Sequence, residues 1–296
     1  MAEASAAVRS SPPVRPEFVH DNVGAANIAA VELPLSTWER ITNITAVRRI
    51  FILVLLAVLW ESYSRSIDNP LMFPSFSETI WSLWDASVRG PLIERVWTSI
   101  QVLSMGYAAG IFLAAVFTAL AVSTRIGTDL LSTLTSMFNP LPAIALLPLA
   151  LLWFGLGIPS LIFVIIHSVL WAVALNTHTG FLAVAEAQRM AGQNYGLRGI
   201  RYVTQILIPA AFPSILAGLK IGWAFAWRTL IAAELVFGVS SRSGGLGWFI
   251  FENRNQLETA YVFAGLTAVI IIGLLVESVV FRTIETHTVR KWGMQR

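Results

Sequence analysis

The chain has 296 residues, of which 56% are hydrophobic and 12% charged, about half the roughly 25% charged share of ordinary soluble domains. With a mean hydropathy of +0.69, it has too little polar surface to face water and takes the bilayer as its solvent. It has no cysteine, which excludes disulfides and thiolate metal sites; its net charge of +3 sits on no folded polar domain, which excludes a nucleic-acid binder.

Residues 1–44 are polar, carry Ser11-Pro12-Pro13 and scattered charge, and lack the apolar core of a signal peptide. They are predicted to form a mostly disordered cytoplasmic tail, so the first span serves as an uncleaved signal-anchor. A bilayer core takes about 20 apolar residues per helix. Six stretches suit it, at about 45–63, 99–122, 130–153, 160–175, 214–239 and 259–281. The expectation is an all-α membrane protein: a transmembrane domain over 45–283, a long loop at 176–213 and a cytoplasmic tail at 284–296.

Between the first two spans, Ser75-Phe-Ser-Glu78 fits a capping box. Ile80, Trp81, Leu83, Trp84 and Val88 then share one helical face, suited to the outer membrane–water interface or to packing against the tops of the spans. Gly106-Tyr-Ala-Ala-Gly110 in the second span allows close helix approach. Pro140, Pro142 and Pro148 interrupt the third, making it a poor lipid-facing rod and a good cavity wall. His167 lies midway along the fourth span, with no second histidine or carboxylate at metal spacing beside it. No metal site or cofactor is expected.

The fifth span carries Arg228 and Glu234, whose six-residue spacing points them away from each other around the helix. Each therefore needs its own partner. Arg228 faces either the path or a structural pair, and Glu234 either closes the outer gate or touches the solute. Lys and Arg near the span ends set orientation. With the N-terminus inside, fourteen of these residues fall in the cytoplasm, five outside and Arg228 within a span, so both termini are expected to be cytoplasmic.

Residues 190–209 form a polar, basic, helix-prone segment ending Ile206-x-Ile208-Pro209, with Pro209 thirteen residues after Gly196 and a second proline at Pro213. In order along the chain stand Phe73-Pro74, Ser99-Ile-Gln-Val-Leu-Ser-Met-Gly106, Pro140-Leu-Pro-Ala-Ile-Ala-Leu-Leu-Pro148, Trp153-Phe-Gly-Leu-Gly157, Ala217-Gly-Leu-Lys220, Ala226-Trp227, Ala233-Glu234, Gly245-Leu-Gly247 and Arg290-Lys-Trp292. Over residues 70–293 this ordered set resembles the inner-membrane permease subunits of nitrate/sulfonate/taurine-type ABC importers.

The resemblance implies the type I importer permease fold, a homodimer, two copies of a separate ATPase that binds ATP and Mg, and a periplasmic or lipid-anchored solute-binding protein. It implies a bacterial inner-membrane location and no enzymatic activity in this chain, which holds no Gly-x-x-x-x-Gly-Lys-Ser/Thr phosphate loop. The solute would be small and anionic: nitrate, bicarbonate, a sulfonate, taurine or similar. Met190, Ala191, Gly192, Gln193, Asn194, Tyr195, Gly196, Leu197, Ile206 and Pro209 would form the ATPase-coupling loop. Anchoring the family pattern on Gly196 places Met190-Ala191-Gly192 where relatives often carry Glu-Ala-Ala. Asn139, Pro142, His167, Trp227, Arg228 and Glu234 are the candidate path residues. The rival reading is an ion-gradient-driven secondary transporter, which predicts an internal repeat and midplane carboxylates; the six spans show no evident halving.

Overall fold

The computed structural model describes residues 43–237 and 244–291. The predicted N-terminal tail lies almost wholly outside the described residues, as do Arg242 and the chain end from residue 292. Among the described residues all regular structure is helical, in chain order α1 (Thr45–Ile67), α2 (Phe76–Val88), α3 (Leu92–Ser123), α4 (Arg125–Phe138), α5 (Leu147–Phe154), α6 (Ile158–Leu182), α7 (Glu186–Asn194), α8 (Gly199–Tyr202), α9 (Ile208–Phe237), α10 (Leu246–Asn255), α11 (Thr259–Leu275) and α12 (Arg282–Glu285). Among the described residues five helices are long and apolar enough to span a bilayer. A bent pair, α4 with the 3-10 turn Ala143–Leu146 and α5, brings the total to six.

That pair is the expected third span, and it is no single rod. Its halves meet at 88° across residues 139–142. Pro140 and Pro142 supply no backbone donor there, and the chain turns instead through Leu141 N to Phe138 O at 3.1 Å and Ala145 N to Pro142 O at 2.9 Å. The fourth span also differs from its sequence reading, running past residue 175 to Leu182. Asn176 and Thr179 ended the hydropathy stretch, yet their side chains bond back to the carbonyls of Ala172 and Leu175 inside the same helix. The segment 176–213 is therefore helical at both ends. The last span likewise continues beyond 284 in wide turns to Arg290, with Val289 buried and Glu285 held by Lys220 at 2.7 Å.

α6 is the central helix, with 61% of its apolar stretch buried against 17% for the last span. α3 and α9 pack along its two sides, and one core joins the three through Leu103, Val164, Ile165, Val169, Ala226 and Leu230. Tyr107 Oη donates to Leu219 O at 2.9 Å and Trp227 Nε1 to Val269 O at 3.3 Å, tying α9 to α3 and α11. The capping box at α2 is formed: Glu78 N donates to Ser75 Oγ and Ser75 N to Glu78 Oε2. α2 buries its face of small residues, Thr79, Ser82 and Ala86, and leaves Trp81 and Trp84 largely exposed.

The Gly106–Gly110 pair serves contact within the chain. A Cβ at Gly106 would lie 2.6 Å from Ile165 Cγ2 and one at Gly110 2.7 Å from Val169 Cβ, so α6 occupies the space a side chain would need. Gly110→Leu is expected to lower stability by about 1–3 kcal/mol through overpacking. The thermal unfolding midpoint of the detergent-solubilised chain measures it, and an unchanged midpoint would place the two helices farther apart.

Candidate functional site

Two places gather the predicted site residues, a helical hairpin outside the apolar spans and a cavity among the spans. In the hairpin, α7 carries Met190 to Asn194 and ends in a reciprocal pair of bonds: Gly196 N donates to Gln193 O at 2.9 Å and Leu197 N to Gly192 O at 3.1 Å. This is the Schellman closure, which requires a left-handed residue after the helix, and Gly196 has φ of +74°. Gly192 acts differently. It is buried, and a Cβ there would lie 2.9 Å from Ile206 Cγ1 and 3.2 Å from Tyr202 Cε2, so α7 rests directly on the returning arm.

That arm enters α9 through a wide turn, Val203–Leu207, with Pro209 just beyond it, where no backbone N–H exists to continue the ordinary ladder. At the tip Tyr195 is 86% and Ile200 83% exposed, two large apolar side chains set beside the exposed Arg198 and Arg201. Apolar groups placed this way on a polar hairpin form a surface suited to a protein partner.

The cavity holds about 360 Å³ and is lined by the α4–α5 break (Asn139, Pro142), α6 (His167, Ser168, Trp171) and α9 (Arg228, Thr229). Four of the six predicted path residues, Asn139, Pro142, His167 and Arg228, thus come together. Arg228 Nε donates to Ala224 O at 3.1 Å, and the guanidinium lies over the Phe225 ring at 5.1 Å. No carboxylate pairs with it among the described residues. Ser168 and Thr229, which the sequence reading passed over, share a hydroxyl–hydroxyl bond of 2.8 Å across the cavity wall. Their signal was present: each is a polar residue beside a charged or ring group already singled out. Trp171 stacks on Phe138 at 5.3 Å, and His167 meets both rings edge-on.

Trp227 and Glu234 do not line this cavity. Trp227 is buried, with its indole N–H bonded toward α11. Glu234 is 4% exposed and faces the start of α10. Gly247 N donates to Glu234 Oε2 at 2.7 Å, Ser99 Oγ donates to the carboxylate at 2.9 Å, and Leu246 N donates to Ser99 Oγ at 2.7 Å. The carboxylate and the serine thus satisfy the first-turn donors of α10, at the helix end that favours negative charge.

Arg95 adds a second tie, its Nη1 donating to Gly244 O at 2.8 Å. Glu234 therefore clasps α3, α9 and α10 together. Hydrogen bonds to a charged group contribute about 1.5–3 kcal/mol. Glu234→Ala should lose at least that and accelerate amide exchange at Leu246 and Gly247, while Glu234→Gln, which keeps one acceptor, should lose less. Unchanged exchange at those two amides would refute the clasp.

Residues 106–291 match the family described as the binding-protein-dependent transport system inner membrane component. An ABC transporter permease protein inferred in Methanocaldococcus jannaschii is 30% identical over 235 residues, 78% of this chain and 87% of that one. The taurine transport system permease protein of Escherichia coli is 29% identical over 230 residues, 76% of this chain and 82% of its own. The nitrate import permease protein of Synechocystis is 30% identical over 183 residues, 62% of this chain and 65% of its own. The ion-gradient-driven reading has no counterpart among these three. The chain therefore belongs to the inner-membrane permeases of binding-protein-dependent ABC importers, multi-pass proteins that work with a solute-binding protein and an ATPase.

Proposed function

We propose that two copies of this chain enclose the path of an importer for a small oxyanion. Each copy's hairpin docks through its tip, residues 190–197, in a groove of one of two separate ATPase subunits, which bind ATP and Mg. The binding protein, periplasmic or lipid-anchored, delivers the solute to the opposite face. Both termini lie in the cytoplasm with the hairpin, following the distribution of Lys and Arg. ATP-driven closure of the ATPases moves the hairpins, and the cavity changes the side to which it opens.

One observation carries the choice of solute: Arg228 stands in the cavity wall as a charge with no carboxylate partner among the described residues. An arginine at mid-span costs roughly 2.5–3.5 kcal/mol on insertion scales, a cost offset when a transiting anion supplies the countercharge. Its terminal nitrogens form a planar fork that fits a sulfonate, nitrate or carboxylate bidentately. The similarity to taurine and nitrate permeases supports the same class of solute.

Two substitutions separate docking from passage. Gly196→Val forces a β-branched residue into left-handed backbone, a strain of about 1–2 kcal/mol. It should leave the spans folded and ATP hydrolysis running while uptake fails. Normal uptake by that variant would refute the docking assignment. Arg228→Met should lower uptake of taurine, an alkanesulfonate or nitrate by at least about tenfold, equivalent to 1.4 kcal/mol, with assembly intact; Arg228→Lys should fall between. Wild-type uptake by the methionine variant would remove Arg228 from the path.

A further inference from the structure

α6 ends at Leu182; of its last-turn carbonyls, Thr179 O accepts from Ala183 N at 3.0 Å and Phe181 O accepts a long bond from Val184 N at 3.4 Å. Arg189, one turn into α7, reaches back over this end. Its Nη2 donates to Phe181 O at 2.6 Å and its Nε to Val184 O at 3.1 Å, with the guanidinium half-buried between the two elements. Among the described residues no other side chain of α7 makes a hydrogen bond, and Glu186 forms no ion pair. The remaining attachment of α7 is the seat of Gly192 on Tyr202 and Ile206, which leads into α9.

Besides the apolar cluster of Phe181, Val184, Leu207 and Ala211 against which Tyr202 packs, α7 is tied to the spans at two points, one per cavity wall. Gly192 communicates with α9, which carries Arg228 and Thr229. Arg189 communicates with α6, which carries His167, Ser168 and Trp171. α6 is unbroken from Phe181 back to Trp171, about 15 Å at 1.5 Å per residue, so a pull on its cytoplasmic end reaches the cavity without an intervening joint.

We propose that Arg189 is the pin through which movement of the docked hairpin is passed to α6 and so to the cavity. It is a positioning residue: it touches neither the ATPase groove nor the solute, and it acts by making α7 and the end of α6 one rigid piece. A planar guanidinium suits this role because its fork holds two carbonyls in a fixed geometry, whereas an ammonium is a single flexible point. The inference rests on the reading that the hairpin docks on the ATPase.

The test uses the full-length chain assembled with its ATPase in nanodiscs and a single cysteine at Ala232, which lines the cavity of a chain that has no other cysteine. The rate of labelling by a small anionic methanethiosulfonate is read with and without ATP. The wild type should show an ATP-dependent change of at least about fivefold. Arg189→Met should bind the ATPase as tightly as the wild type and lose that change, and Arg189→Lys should recover part of it. Nitroxides at Leu175 and Asn194 report the link itself: one narrow distance in the wild type, a broadened one in Arg189→Met.

Retention of the full ATP-dependent change by the methionine variant would overturn the pin. So would loss of ATPase binding, because Arg189 would then belong to the docking surface. If the methionine variant does not fold, the lysine variant decides, and full wild-type behaviour with a broadened nitroxide distance would overturn the proposal. A wild-type chain whose labelling ignores ATP would instead overturn the functional reading beneath it.

Discussion

Inside a bilayer no water is available to a peptide N–H or C=O, so each must find its partner within the protein. Long helices meet that demand along their length and fail it at their ends and breaks. At several breaks in this chain a side chain or a tight backbone turn has taken over the missing bonds. Ser160 Oγ reaches the carbonyls of Ala150 and Gly155 where α5 gives way to α6. Ser99 and Glu234 serve the first donors of α10. Arg189 serves the end of α6, and the Gly196 turn closes α7 on itself. The same demand that holds the fold therefore decides where its joints are, and the joints are where a transport cycle can act.

The two charges of α9 show how position along and around one helix separates structure from function. Glu234 lies at the end of the span, where backbone donors and a hydroxyl surround it, and its charge is used up in holding three helices. Arg228 sits nearer the middle, on the face toward α6 and the proline break, where only a carbonyl and an aromatic face meet it. A charge with internal partners locks a structure, and one without them is available to a solute. The central position of α6 sharpens the contrast: its small and apolar side packs against α3 at Gly106 and Gly110, while its other side presents His167 and Ser168 to the cavity.

The hairpin is built for rigidity despite its exposure. A Schellman closure, a glycine seated on the returning arm and an arginine bonded to two carbonyls fix its shape, while Tyr195 and Ile200 remain at the tip for a partner. A floppy loop would absorb a displacement imposed at its tip, which these contacts oppose. The wide turn before Pro209 is the one irregular segment between hairpin and α9, so bending of the hairpin relative to the spans is concentrated there.

Much of this was legible in the residues. The apolar stretches, the capping box at Ser75, the helix-breaking prolines and the ordered family blocks are local properties, and local properties establish an all-helical membrane permease. What hydropathy missed was where helices end: Asn176 and Thr179 read as polar loop because the count does not see that their side chains bond to their own helix. It also could not see that Pro140 and Pro142 turn the third span through 88°. Most of all, the sequence could place Arg228 and Glu234 on different faces of one helix but not name their surroundings, since those come from α3, α6 and α10, which lie up to 135 positions away. Periodicity determines which side a residue takes; only the packing of distant helices decides what it meets there, and that meeting separates the clasped Glu234 from Arg228 in the cavity wall.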